Sequence, residues 1–90
     1  MEKIRRHIIF QGWVQGVGFR YRAYYAANDN GVGGWVRNLP DGTVEAELEG
    51  TEDAIDRMII QIENSRFIRI ENMIVTKMPT LGEDTFRVRD

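Results

Sequence analysis

Residues 4–14 are dense in β-branched and aromatic side chains, among them Ile4, Ile8, Ile9, Phe10, Trp13 and Val14, and predict a strand that runs into a glycine-punctuated loop at 12–18. At Phe19 the period changes: Phe19, Ala23, Ala26, Ala27 and Asn30 recur at helical spacing, and Gly31 supplies a left-handed stop. Residues 35–39 then lead into Pro40-Asp41-Gly42, where proline presets φ and glycine accepts positive φ, so a hairpin is predicted. Its second strand alternates, with Val44, Ala46 and Leu48 facing inward and Thr43, Glu45, Glu47 and Glu49 facing water, and Gly50 is expected to end it. Thr51 suits an N-cap, Glu52 and Asp53 suit the positive end of a helix dipole, and Ile55, Met58, Ile59 and Ile62 repeat at i, i+3, i+4 and i+7. That pattern predicts a second helix. Residues 67–78 return to strand composition, 79–84 read as a loop, and 85–88 as a short closing strand.

The order β-α-β-β-α-β predicts an α+β fold of the ferredoxin-like kind, an antiparallel sheet in spatial order 4-1-3-2 with both helices on one face, plus a short fifth strand near the C-terminus. A helix crossover joins strands 1 and 2, so they run the same way and end at one edge of the sheet, with the start of strand 3 between them. The loop at 12–20, Asn38 and Thr43 should therefore converge. With neighbouring strands about 4.8 Å apart, the outer two of these elements are expected roughly 10 Å apart, a gap that one long side chain and a small ligand can fill.

Ninety residues set the chain at one domain, 1–90, and 42% hydrophobic with 29% charged residues is ordinary globular usage, so disorder and low complexity are excluded. Without cysteine there is no disulfide framework and no thiolate nucleophile or ligand, and His7 is the sole imidazole; neither a metal nor a cofactor is expected. No apolar run approaches the roughly 18 residues of a membrane span, and the N-terminal stretch Met1 to Arg6 lacks the apolar core of a signal peptide, so a cytoplasmic monomer without membrane partners is expected. The formal net charge of −2 argues against nucleic-acid binding. Residues 1–40 nevertheless carry six Lys and Arg against two Asp and Glu, which leaves room for a local anion site.

The stretch Gln15-Gly16-Val17-Gly18-Phe19-Arg20 follows a strand and opens a helix, so several backbone N–H groups can gather in one concavity at the positive helix end and hold a phosphate or sulfate. Arg20, in the first turn, adds a planar fork of donors suited to phosphate. Tyr21 stands where a dinucleotide fingerprint needs its third glycine, and the G-K-[ST] of a P-loop is missing, so neither nucleotide motif applies. Glycines in short turns serve backbone geometry more often than ligands, and Arg20 or Asn38 alone could be ordinary surface or pre-turn residues.

Gly12-Trp13-Val14-Gln15-Gly16-Val17-Gly18-Phe19-Arg20 resembles the first signature of the acylphosphatase family, G-x-V-Q-G-V-x-F-R, and Gly34-Trp35-Val36-Arg37-Asn38, followed by the turn at Gly42 and by Thr43-Val44, resembles the second. The similarity extends over nearly the whole chain. It implies hydrolysis of the anhydride between a carboxylic acid and phosphate, in a small acyl phosphate substrate. By motif position, Arg20 would bind the phosphoryl group with the loop 15–20, Asn38 would hold the attacking water, and Thr43 would support the hairpin. In some relatives the terminal carboxylate lies against this arginine, and the resemblance leaves open whether Asp90 does so with Arg20. The chain departs from the family pattern after the second helix, where Asn64-Ser65-Arg66-Phe67 contains neither the usual glycine nor the proline.

Two other readings compete. A ferredoxin-like RNA module would stack bases on sheet aromatics, but Glu45, Glu47 and Glu49 on the polar face of strand 3 would repel a phosphate backbone. A non-catalytic regulatory domain of the same fold would have no need of Arg20 and Asn38. His7, mid-strand, reads as structural, Trp35, Phe19 and Phe10 as core or pocket wall, and Arg22 and Arg37 as flanking charges.

Overall fold

A computed structural model describes residues 2–90, which form β1 (Lys3–Trp13), α1 (Phe19–Asn30), β2 (Gly33–Asn38), β3 (Val44–Thr51), α2 (Glu52–Glu63), β4 (Arg69–Met78) and β5 (Phe86–Arg89). The strands lie in the order β4-β1-β3-β2-β5, so the expected 4-1-3-2 core is present with β5 added beside β2. Every pairing in the core is antiparallel, but β5 runs parallel to β2, which makes the sheet mixed rather than wholly antiparallel. The reason is the connection. β4 ends beside the start of β1, at Arg5↔Met78, and the chain crosses to the opposite sheet edge at that same end before it turns back as β5.

The core lies between the sheet and the two helices. Ile8 and Phe10 of β1, Val36 of β2, and Val44, Ala46 and Leu48 of β3 present one face, while Phe19, Ala23, Ala26 and Ala27 of α1 and Ile55, Met58, Ile59 and Ile62 of α2 close over it. The alanines give α1 a narrow apolar face, which lets it settle close to the sheet, and burial of the large aliphatic chains of α2 contributes about 1.5–3 kcal/mol each. Thr51 accepts a hydrogen bond from the Ala54 N–H at 3.2 Å and caps α2 as expected. Asn30 ties the helices together, donating to the Ala26 carbonyl at 2.8 Å and to Gln61 Oε1 at 3.1 Å.

Four details differ from expectation. Gly50 does not end β3, because pairing with β1 continues through Ile4↔Gly50 and Lys3↔Thr51. β1 passes through Gly12 by a bulge against β4 rather than stopping at a loop. Without a glycine after α2, the helix closes through bonds from Asn64 to Ile60 and from Ser65 to Ile62, and residues 67 and 68 belong to that turn instead of β4. The fourth is the polar face of β3, which is not simply wet. Glu49 is only 2% exposed, and so is Arg5 beneath it. Arg5 meets Glu47, Glu49 and Glu83 at 2.7–2.9 Å, and Glu49 also accepts from the N–H groups of Leu81 and Gly82 at 2.8 Å each. Burial works against the charge of Arg5, but its three carboxylates outweigh that and hold its pKa above the ordinary arginine value. Burial likewise opposes the charge of Glu49, and the Leu81 amide, Arg5 and the Gly82 amide together hold it below the usual glutamate range. No helix among the described residues is long and apolar enough to cross a membrane.

Candidate active site

β1 ends, β2 ends and β3 begins at one end of the sheet, and α1 starts there. The loop between β1 and α1 can turn this tightly because Gly16 and Gly18 take φ of 73° and 78°, a region costly for residues with a Cβ. Gly18 is the N-cap of α1 and brings no side chain to its amides, and no acidic residue stands in the first turn. The start of α2, by contrast, is closed by Thr51 and carries Glu52 and Asp53. The two helix ends are thus prepared differently: α2 satisfies its own N-terminal dipole, whereas no side chain caps the first N–H groups of α1.

Val14, Gly16, Gly18, Phe19, Arg20, Tyr21 and Asn38 line one cavity of about 220 Å³ at this end. Arg20 and Asn38 therefore face one cavity, although most of a helix and a strand separate them in sequence. Asn38 reaches this side because it lies two residues beyond the buried Val36 and so shares the helix-side face of β2. Phe19 forms the floor, its ring 5.0 Å from that of Phe10, and Val17 packs against the core beside it.

The side chain of Gln15 is engaged within the fold. Its Nε2 donates to the carbonyls of Leu39 at 2.7 Å and Thr43 at 2.8 Å, so it binds the loop to the hairpin rather than pointing into the cavity as a donor. The hydroxyl of Thr43 is bound to Asp41 Oδ1 at 2.6 Å, as is its backbone N–H at 3.0 Å, which places Thr43 in the turn as a support. Those two bonds also hold Asp41 below the ordinary carboxylate range. Together they fix the short connection that carries Asn38.

Arg20 makes one protein contact, from Nη1 to the Arg89 carbonyl at 3.4 Å, and pairs with no carboxylate among the described residues. Arg20 makes no ion pair with Asp90, a contact the resemblance left open; the chain arrives along β5 and offers the preceding carbonyl instead. Arg22 and Arg37 both turn away, Arg22 to the Gln61 carbonyl on α2 at 3.0 Å and Arg37 to Glu45 at 2.6 Å on the open sheet face. Glu45 also meets His7 at 2.7 Å; burial opposes its charge, but His7 and Arg37 hold it below the usual range. Trp35 lies on that same open face under the guanidinium groups of Arg37 and Arg89, 5.6 and 4.6 Å from its ring centre, and lines no part of the cavity. Tyr21 is a lining residue that the motif did not single out, although an aromatic beside Arg20 in the first helical turn was a visible signal. No group of three or more His, Cys, Asp or Glu suited to a metal ion occurs among the described residues.

The acylphosphatase family model matches residues 6–88, and so both the loop and the hairpin of the cavity. The chain belongs to the acylphosphatase family. An acylphosphatase of Methanospirillum hungatei is 44% identical over 87 residues, which cover 94% of this chain and 96% of that one. The crystal structure of acylphosphatase from Bacillus subtilis superposes with a TM-score of 0.86 at 36% identity, over 97% of this chain and 99% of its counterpart. The same fold recurs within full-length HypF, at a TM-score of 0.82 and 25% identity, where it covers 99% of this acylphosphatase chain but 12% of HypF.

Proposed function

We propose that this acylphosphatase cleaves the carboxyl-phosphate anhydride with Arg20 and the loop amides of 16–20 holding the phosphoryl group and Asn38 holding the attacking water. The observation that carries this reading is that Arg20, Asn38, Gly16 and Gly18 line one cavity. A phosphate or sulfate ion is expected to bind there in competition with substrate. The chain acts as one domain, as a monomer and in the cytoplasm.

The chemistry asks little of the protein beyond positioning. The leaving group is a carboxylate, whose conjugate acid has a pKa of about 4, so it departs with the bonding electron pair and needs no general acid. Phosphoryl transfer of this kind passes through a loose transition state in which charge spreads over the equatorial oxygens. An unpaired guanidinium and a ring of N–H groups stabilise that charge without reorganising. A carboxamide cannot act as a base near neutral pH, but it donates and accepts hydrogen bonds, and so Asn38 can orient a water in line with the breaking P–O bond. As the new O–P bond forms, the proton of the water passes to a phosphate oxygen of the substrate. The products are the carboxylate and inorganic phosphate. No phosphoenzyme, metal or cofactor enters the scheme.

Hydrolysis of benzoyl phosphate by the wild type, Arg20→Ala and Asn38→Ala tests the assignment. Each substitution is expected to lower kcat/KM by about 10²- to 10³-fold, the size seen when one preorganised transition-state donor is lost. Inhibition by inorganic phosphate should weaken in Arg20→Ala and persist in Asn38→Ala. Equal rates for all three proteins would remove the assignment.

A further inference from the structure

A second cavity, of about 300 Å³, adjoins the first and is lined by Arg20, Tyr21, Val88 and Asp90. It exists because β5 runs parallel to β2, which brings the end of β5 beside the first turn of α1. Arg20 and Tyr21 line both cavities, Asn38 lines only the first, and Val88 and Asp90 line only the second. We propose that the second cavity receives the acyl part of the substrate, and that Tyr21 and Val88 favour uncharged aromatic or aliphatic acyl groups while Asp90 disfavours acyl groups that carry an anion of their own. This inference rests on the assignment of Arg20 and Asn38 given above.

In-line displacement requires the attacking water and the leaving oxygen on opposite sides of phosphorus. With the water held at Asn38 in the first cavity and the phosphoryl group at Arg20 on the boundary, the carboxylate has to leave away from Asn38. The second cavity is the concavity that shares the Arg20 wall and lacks Asn38. Its walls suit an apolar group. Tyr21 is 75% exposed and Val88 44% exposed, so an aryl or alkyl acyl group would cover apolar surface that the fold leaves open. Asp90 is the one acidic residue among the lining residues, its side chain the charge that Asp90→Asn removes, and Arg20, the one cation, is occupied by the phosphoryl group. A second negative charge on the substrate would therefore meet Asp90 without a compensating partner.

The test measures kcat/KM for acetyl phosphate, benzoyl phosphate and succinyl phosphate, with the wild type, Tyr21→Ala and Asp90→Asn, together with inhibition by inorganic phosphate. Both altered side chains are exposed, so the fold tolerates them. Tyr21→Ala should reduce the preference for benzoyl over acetyl phosphate by about three- to tenfold, a ratio in which any effect on the phosphoryl group common to both substrates cancels. Asp90→Asn should raise succinyl over acetyl phosphate by about fivefold. Removing the charge of Asp90 acts on the phosphate of both substrates alike, so the ratio isolates the acyl end. Rapid hydrolysis with both ratios unmoved in the variants would overturn the acyl cavity and leave the Arg20–Asn38 assignment standing. A wild type that hydrolyses none of the three would overturn both.

Discussion

The two ends of the sheet treat an arginine in opposite ways. At the end where β1 begins, Arg5 is buried and holds three carboxylates, and Glu49 among them is further satisfied by two backbone amides. At the end where β1 finishes, Arg20 touches one carbonyl at 3.4 Å. A guanidinium whose donors are already matched has nothing to offer a ligand, and a buried one that lost its partners would be costly. A half-buried guanidinium with no carboxylate partner, beside a helix start that no side chain caps, has donors to spare, the property the proposed phosphoryl site needs. Charge alone thus does not mark the candidate site, nor does a missing carboxylate, which Arg57, Arg66 and Arg69 lack as well; what sets Arg20 apart is that it lines one cavity with Asn38.

Breaking the closed end should have the largest effect. Arg5→Met leaves the carboxylate of Glu49 buried without its cation and should cost about 3–5 kcal/mol of stability, read by urea denaturation. Phosphate affinity of the fraction that stays folded should be unchanged, because Arg5 lies at the other end of the sheet. Loss of phosphate binding in the folded fraction would deny that the two ends act separately.

The converse experiment gives the open end a partner of its own. Gly18→Asp places a carboxylate at the start of α1, where it can take the amides and Arg20 proposed to hold the phosphoryl group. Inhibition by inorganic phosphate should weaken by about tenfold or more. Gly18→Asn, with similar shape and tolerance of positive φ but no charge, should weaken it less. Identical losses in the two variants would assign the effect to backbone strain instead.

The smallest effect is expected from pH. Glu45 and Glu49 both have folded-state pKa values below the ordinary glutamate value, so the unfolded chain binds more protons in acid than the folded one. Their contribution is complete at neutral pH and disappears as pH falls below the ordinary value of about 4.3 and through the depressed folded values. Unfolding free energy should be flat from about pH 7 to 5 and decline below about pH 4, and Glu49→Gln should start lower and decline less. A stability that rises on acidification would contradict the sign of both shifts.

Much of the fold was open to reading because its signals are local. The alternation of Val44, Ala46 and Leu48 and the i, i+3, i+4 repeat from Ile55 to Ile62 each report a face within one element, and all of these residues are buried. Asn38 and the loop were legible as neighbours once the crossover rule set strands 1 and 2 parallel. Glu49 was misread as wet for an equally physical reason: alternation says which face a residue occupies and is silent about what covers that face. The anion nest at 15–20 is read from backbone N–H groups, and that reading is silent about what the side chain of Gln15 binds. Its two carbonyl partners belong to a hairpin distant in sequence.

By itself the sequence determined the elements, their handed connection, the absence of thiol chemistry and the two motifs that mark the acylphosphatase family, all of which depend on neighbours along the chain or on residue type. Only the tertiary structure decided that the arginine lining the cavity makes no ion pair, where Gln15 spends its donors, and that the parallel placement of β5 adds a second cavity beside Arg20. These are contacts between segments tens of residues apart, and their energies depend on distance and burial, which no linear pattern encodes.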